Sequence, residues 1–116
     1  MLPKKNRLKK EEVEFIFKKG KTYKKGFLLL KIIEDKKELA SLFSVVVPKK
    51  VSKKAVERNK IKRKIRESLR KKLDKIKPGI KGLFIALPGA KEKNYKEIEK
   101  NIDELIAFSK INKNKI

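Results

Sequence analysis

Ile61, Ile65, Leu69, Leu73 and Ile76 recur at three- and four-residue steps in the middle of the chain. That spacing lines one face of an α-helix. It predicts a long amphipathic helix from about Ser52 to Ile76, ended by Lys77-Pro78-Gly79. Strand-length apolar stretches stand on both sides, Leu39–Val47 before and Ile80–Leu87 after, each closed by a proline. A helix with one apolar stripe must lay it against another element. Strand, long helix and strand suggest a β-α-β crossover between two parallel strands of a mixed sheet.

The flanking segments complete the layers. Glu11–Lys19 reads as a short helix, with Val13, Ile16 and Phe17 at helical spacing and Gly20 as a natural stop. Glu11, Glu12 and Glu14 fall in its first turn, where the helix dipole favours acids. Phe27–Ile33 is a nearly continuous apolar run of strand length, followed by a charged turn at Glu34–Glu38. The pause at Gly26 separates an additional short strand near Thr22–Tyr23. Asn94 with Glu97 forms a capping-box pattern, and Ile98, Ile102, Leu105 and Ile106 give the last helix its buried face. Residues 1–8 and 110–116 are expected to be flexible ends. The order α-β-β-β-α-β-α describes an α+β sandwich with a small mixed sheet, one domain over residues 1–116. A chain of that length has no room for a second core.

The net charge of +22, from 36 basic and 14 acidic residues, repels itself in the folded monomer. A polyanion would neutralise it, whether RNA, DNA or an anionic membrane surface. The sequence has no cysteine and no histidine, which removes disulfides, thiolate nucleophiles, Cys/His zinc sites and imidazole bases together. Asp35, Asp74 and Asp103 are scattered and the glutamates mostly sit beside lysines, so no carboxylate constellation for catalytic metals is expected. The apolar runs are too short to span a bilayer, and no apolar stretch follows the basic start. A soluble, cytoplasmic protein without a membrane partner is expected.

Arginine is scarce here, five residues among the 36 basic ones, yet Arg58, Arg63, Arg66 and Arg70 fall close together. In a chain that defaults to lysine, arginine marks positions that use a flat bidentate donor, for which phosphate is the obvious acceptor. Asn59, Arg63, Arg66 and Arg70 lie at i, i+4, i+7 and i+11, one continuous ridge turned away from the Ile/Leu stripe, with Lys62 beside it. A merely solvated face would mix signs, but Glu67 is the only acid between Arg58 and Leu73. Such a basic row suits a duplex backbone or a folded RNA surface.

The segment Glu57-Arg58-Asn59-Lys60-Ile61-Lys62-Arg63, followed by Arg66-Glu67, resembles the signature of the bacterial ribonuclease P protein family. That family carries Arg-Asn-Arg, then Ile-Lys-Arg, then Arg-Glu. Ser44–Val51 resembles the family's strand before the motif, and Phe17-Lys18-Lys19-Gly20 its first helix. Lys77-Pro78-Gly79 and Asn94-Tyr95-Lys96-Glu97 resemble its last third. Lys60 replaces the second arginine of the motif, and Val13 and Lys31 stand where many members have aromatic residues. The resemblance implies a left-handed crossover, against the general preference for right-handed ones. It also implies an accessory role. In that family an RNA subunit removes the 5′ leader of precursor tRNA with Mg²⁺, while the protein binds the RNA and contacts the leader. Carried onto this chain, Arg58, Asn59, Lys60, Lys62, Arg63, Arg66 and Arg70, with Lys49, Lys50 and Lys53, would meet the catalytic RNA. A cleft between the first helix and the sheet would take the leader, with Val13, Phe17, Phe27, Leu29, Lys31, Lys9 and Lys10. No catalytic residue, metal ligand or cofactor of the protein's own is implied; Mg²⁺ belongs to the ribonucleoprotein.

Other readings compete. A general RNA-binding or ribosomal protein of related fold accounts for the charge without a ribozyme partner. A DNA-binding protein would lack a helix-turn-helix partner for the long helix. A membrane-surface protein fits the basic helix but not the β segments. A stand-alone nuclease lacks the residue inventory. For Phe15 and Phe17 the ordinary reading is core packing.

Overall fold

The computed structural model describes residues 8–37 and 40–112. Helix α1 (Lys10–Lys19) leads into strands β1 (Lys21–Lys25), β2 (Leu28–Glu34) and β3 (Leu42–Val46). Helix α2 (Ala55–Arg70) crosses to β4 (Ile80–Ala86), and α3 (Tyr95–Ser109) follows. The sheet order is β1-β2-β4-β3. Strands β1/β2 and β2/β4 are antiparallel, and β3/β4 is parallel. The expected α+β sandwich is present, and α2 is the connection across the parallel pair. The short strand near Thr22–Tyr23 is real and lengthens to five residues.

Strand alternation sorts the sheet's side chains between two layers. Leu28, Leu30 and Ile32 of β2 join Phe43, Val45 and Phe84 on the face covered by α2 and α3. Leu29 and Ile33, with Leu83, Ile85 and Val46, face the other way and meet Ile16 of α1. Ile61, Ile65 and Leu69 of α2 and Ile98, Ile102, Leu105 and Ile106 of α3 are buried. Each such side chain contributes about 1.5–3 kcal/mol of transfer free energy. Asn94 caps α3 through the expected box: its side chain accepts from the Glu97 amide at 2.9 Å, and its own amide donates to Glu97 at 3.2 Å.

Several boundaries differ from the sequence reading. Helix α2 starts at Ala55, after a turn at Pro48–Val51, and ends at Arg70 rather than Ile76. Lys72 is drawn inward to Asp103 of α3, with Nζ 2.6 Å from the carboxylate, and the chain tightens into a 3-10 turn at Leu73–Lys75. Leu73 and Ile76 still reach the core, so the stripe's period outlives the helix. Ile76 then bridges Asn112, and the Lys77 amide donates to the Ile111 carbonyl at 2.8 Å. Residues 110–112 are therefore fastened, contrary to the flexible tail expected from Lys110 onward. Lys110 takes the left-handed cap conformation and Ile111 is fully buried. Residues 1–7, 38–39 and 113–116 lie outside the described residues, and with them the ends of both flexible-terminus expectations and the start of the predicted third strand. Leu8 is held, its amide donating to the Phe43 carbonyl at 3.3 Å.

Two positions join distant parts of the chain. Gly26 turns the β1–β2 hairpin at φ +59, a region that favours glycine. Asn101 of α3, almost fully buried, accepts from the Phe27 amide at 3.0 Å and donates to the Lys25 carbonyl at 2.8 Å. Gly82, in β4, leaves room for Phe43: an added Cβ would stand 2.6 Å from its ring. Among the described residues, no helix is long and apolar enough to cross a membrane. Gly82→Ala is expected to lower stability by about 1–3 kcal/mol through overpacking. In the Phe43→Leu background the added penalty should shrink, as thermal or denaturant unfolding of the four variants would show. An equal penalty in both backgrounds would place the strain elsewhere.

Candidate nucleic-acid interface

Ile61, Ile65 and Leu69 fix the rotation of α2, and the opposite face is left in solvent. Asn59, Arg63 and Arg66, with Glu67, line one shallow recess of about 370 Å³ on that face. The predicted ridge therefore comes together at three of its four positions. The fourth, Arg70, is exposed and pairs with Glu67 at 3.1 Å. Ion pairs this exposed are weak and exchange readily for a stronger acceptor. Lys60 is exposed and Lys62 half-buried.

Arg58 stands apart from the ridge. Its Nη1 donates to the carbonyls of Ser52 and Lys53, each at 2.9 Å. The Ser52 hydroxyl donates to the Glu57 carboxylate. That bond holds the Glu57 carboxyl below the usual carboxylate range, with the charges of Lys91 and Lys54 assisting. The motif's first arginine thus tethers the loop ahead of α2. The family resemblance grouped it with the RNA-facing residues, and spacing alone does not show where the preceding loop folds back.

That loop forms a second recess, of about 400 Å³. Lys49, Lys50 and Lys53 line it, together with Lys54, Glu57 and Lys91. Lys91 comes from the 3-10 turn Pro88–Glu92 after β4. It was not foreseen, because nothing local in the sequence marks a lysine some forty residues away as a neighbour of Lys50. Its Nζ stands 3.7 Å from Glu57.

On the other face of the sheet, α1 packs through Ile16 against Leu83 and Ile85. Lys10, Val13 and Phe17 share one helical stripe by their spacing. Phe17 is 43% exposed, so its ring is not core. Lys31 of β2 reaches across, its Nζ donating to the Phe17 carbonyl at 3.0 Å and standing 5.7 Å from the ring centroid. Leu29 and Val13 are half-buried beside the small cluster of Ile16, Leu83 and Ile85. Lys9 precedes the helix, and its amide donates to Glu12. Phe27 does not join these residues. It belongs to the hairpin turn rather than to β2, so strand alternation does not govern it. Its ring packs against the α2/α3-side core, with Lys93 Nζ 5.5 Å from the centroid.

Phe15 is also exposed rather than in the core, but lies elsewhere on α1. It lines a recess with Glu11, Glu12, Glu34, Asp35 and Lys81. Lys81 Nζ lies 2.7 Å from Glu12. Together with the Lys9 amide, it holds the Glu12 carboxyl below the ordinary range. One flank of α1 is therefore acidic and would repel a polyanion, while the flank bearing Phe17 and Lys31 would attract one. Among the described residues no group of three or more Cys, His, Asp or Glu side chains is placed to hold a metal ion.

Comparisons with known proteins identify the family. The family model described as Ribonuclease P matches residues 2–110. The ribonuclease P protein component of a Pseudanabaena species is 35% identical over 112 residues, covering 96% of this chain and 97% of the relative. That of Microcystis aeruginosa is 38% identical over 114 residues, with 95% of each chain covered. The Staphylococcus aureus RNase P protein superposes with a TM-score of 0.82 at 26% identity, covering 91% of this chain and 96% of that one. The Thermotoga maritima protein shares the fold, with a TM-score of 0.75 at 23% identity. A match over nearly the whole length, in sequence and in fold, carries the resemblance seen in the α2 motif to its conclusion: the chain belongs to the bacterial ribonuclease P protein family.

Proposed function

We propose that this protein docks on the catalytic RNA of ribonuclease P through α2 and the lysine recess ahead of it. It also guides the single-stranded 5′ leader of precursor tRNA through the cleft between α1 and the sheet. The observation that carries the reading is the shared recess of Asn59, Arg63 and Arg66 on a helix whose opposite face is locked into the core. Guanidinium forks held on a rigid surface suit phosphates of a folded RNA better than mobile lysines do. Lys49, Lys50, Lys53 and Lys91 extend the positive surface beyond the end of α2. In the cleft, the exposed Phe17 ring offers a base a stacking partner, and Lys31 offers a phosphate a cation.

Under this reading the protein supplies position and charge, and the RNA with its Mg²⁺ supplies the cleavage chemistry. A sequence without histidine or cysteine suits that division. Reconstitution with a bacterial ribonuclease P RNA tests it. At low Mg²⁺ the mixture should cleave precursor tRNA at the mature 5′ end faster than the RNA alone, and the protein alone should not cleave. Accurate turnover by RNA-free protein would overturn the accessory role.

Arg63→Gln, Arg66→Gln and Arg70→Gln together should leave folding nearly unchanged, since surface changes of this kind usually cost within about 0.5 kcal/mol each. Affinity for the catalytic RNA should fall, and lysine at the same positions should restore only part of it. Removing Lys36 and Lys37, exposed in the β2–β3 turn, should weaken binding much less. Equal losses for equal charge removed would mean that no face of the protein is special.

Phe17→Ala should weaken binding of precursor tRNA more than of mature tRNA. The difference should be on the order of 1–3 kcal/mol if a base stacks there. Filter-binding titrations of both substrates with the reconstituted particle give the answer; matching losses would dissociate Phe17 from the leader.

A further inference from the structure

The layer of α2 and α3 ends, above β1, in a surface used by neither the ridge nor the cleft. Tyr23 of β1 packs against the edge of the larger core. The ring of Phe108, in the last turn of α3, meets it edge-on, with centroids 5.7 Å apart and planes at 84°. Lys21 Nζ stands 5.4 Å from the Tyr23 ring centroid, and Lys25 Nζ stands 5.8 Å from that of Phe108. Phe108 is 54% exposed. The buried stripe of α3 is complete without it, through Ile98, Ile102, Leu105 and Ile106.

Core packing does not account for an aromatic ring left more than half in water. Its surroundings are strongly cationic. Strand β1, at the edge of the sheet, reads Lys21-Thr22-Tyr23-Lys24-Lys25, and every residue but Tyr23 is exposed. Glu104 lies one helical turn before Phe108 and bounds the patch on α3. Lysines are depleted at protein–protein contacts, so three in five residues disfavour that kind of partner. Aromatic rings among cations are what single-stranded nucleic acid needs, with bases on the rings and phosphates on the lysines.

We propose that Tyr23 and Phe108, flanked by Lys21 and Lys25, form a second stacking site for single-stranded RNA. It lies on the sheet face opposite the α1 cleft. A strand seated in the cleft reaches it only by passing round the β1 edge, so the two sites hold different nucleotides.

The test uses the full chain carrying Phe17→Ala, Arg63→Gln and Arg66→Gln, so that ridge and cleft contribute little. Binding of a fluorescent twelve-nucleotide oligouridine is followed by anisotropy at low salt. Adding Phe108→Ala should weaken the remaining binding by about 5- to 150-fold, the range for one lost stacking partner. Phe15→Ala removes an equally exposed ring among carboxylates and should change nothing. Phe108→Leu keeps apolar volume without a π face, guards against a folding defect, and should show the same loss as alanine. Circular dichroism checks each variant. Unchanged affinity in folded Phe108→Ala or Phe108→Leu protein would overturn the site and leave the patch to a protein partner. Complete loss of binding in the starting triple variant would likewise overturn the site, whereas undiminished binding in that variant bears only on the ridge and cleft, so the two readings fail separately.

Discussion

Strand β4 is the constraint on which the other elements depend. It pairs on both edges, antiparallel to β2 and parallel to β3. It is also covered on both faces: Phe84 packs beneath α2 and α3, while Leu83 and Ile85 pack beneath α1. Six of its seven residues are buried, which explains why its sequence is a nearly unbroken apolar run without polar alternation. Because β3 and β4 are parallel, their connection must travel the length of the sheet, and α2 is that connection. The motif-bearing helix is therefore oriented by the most buried strand in the molecule.

The distribution of carboxylates follows from the same architecture. Glu12 is paired with Lys81 on β4, Asp103 with Lys72, and Glu57 with the loop ahead of α2. Several acids thus fasten one element to another, while much of the basic excess lies on outer faces. That arrangement gives the surface regions of opposite character. The ridge, the lysine recess and the Phe17 flank of α1 are cationic, and the Phe15 flank is not. A polyanion meeting this protein is steered by position as well as by net charge.

The layers and the ridge were legible because periodicity is a local property. Ile61, Ile65 and Leu69 announced the buried face of α2, and the opposite row of Asn59, Arg63 and Arg66 followed from the same 3.6-residue repeat. The capping box at Asn94 and Glu97 is local too. What could not be read depends on contacts between remote segments. Just past the end of α2, Lys72 pairs with Asp103 on another helix. Ile111 is buried because its carbonyl and the next residue meet the chain near Ile76. Arg58 turns to its own loop, Lys91 joins a recess whose other lysines precede α2, and Phe27 falls in a turn and packs against the larger core. Phe15 and Phe17 show the limit of hydropathy: both are apolar, both are exposed, and their neighbours are of opposite charge.

The buried amide of Asn101 has a kinetic consequence. It clips the Gly26 turn to α3 through two backbone groups, Lys25 and Phe27, more than seventy residues away in the chain. The hairpin end cannot be finished before the last helix arrives, nor can that helix bury its asparagine before the turn exists. Closure across so long a loop comes late and slows folding relative to helical proteins of similar size. It also ties the two ends of the domain into one cooperative unit. The Phe27 amide then exchanges its hydrogen with solvent only when α3 leaves the sheet, so a proton near the start of the chain reports the loss of its final helix.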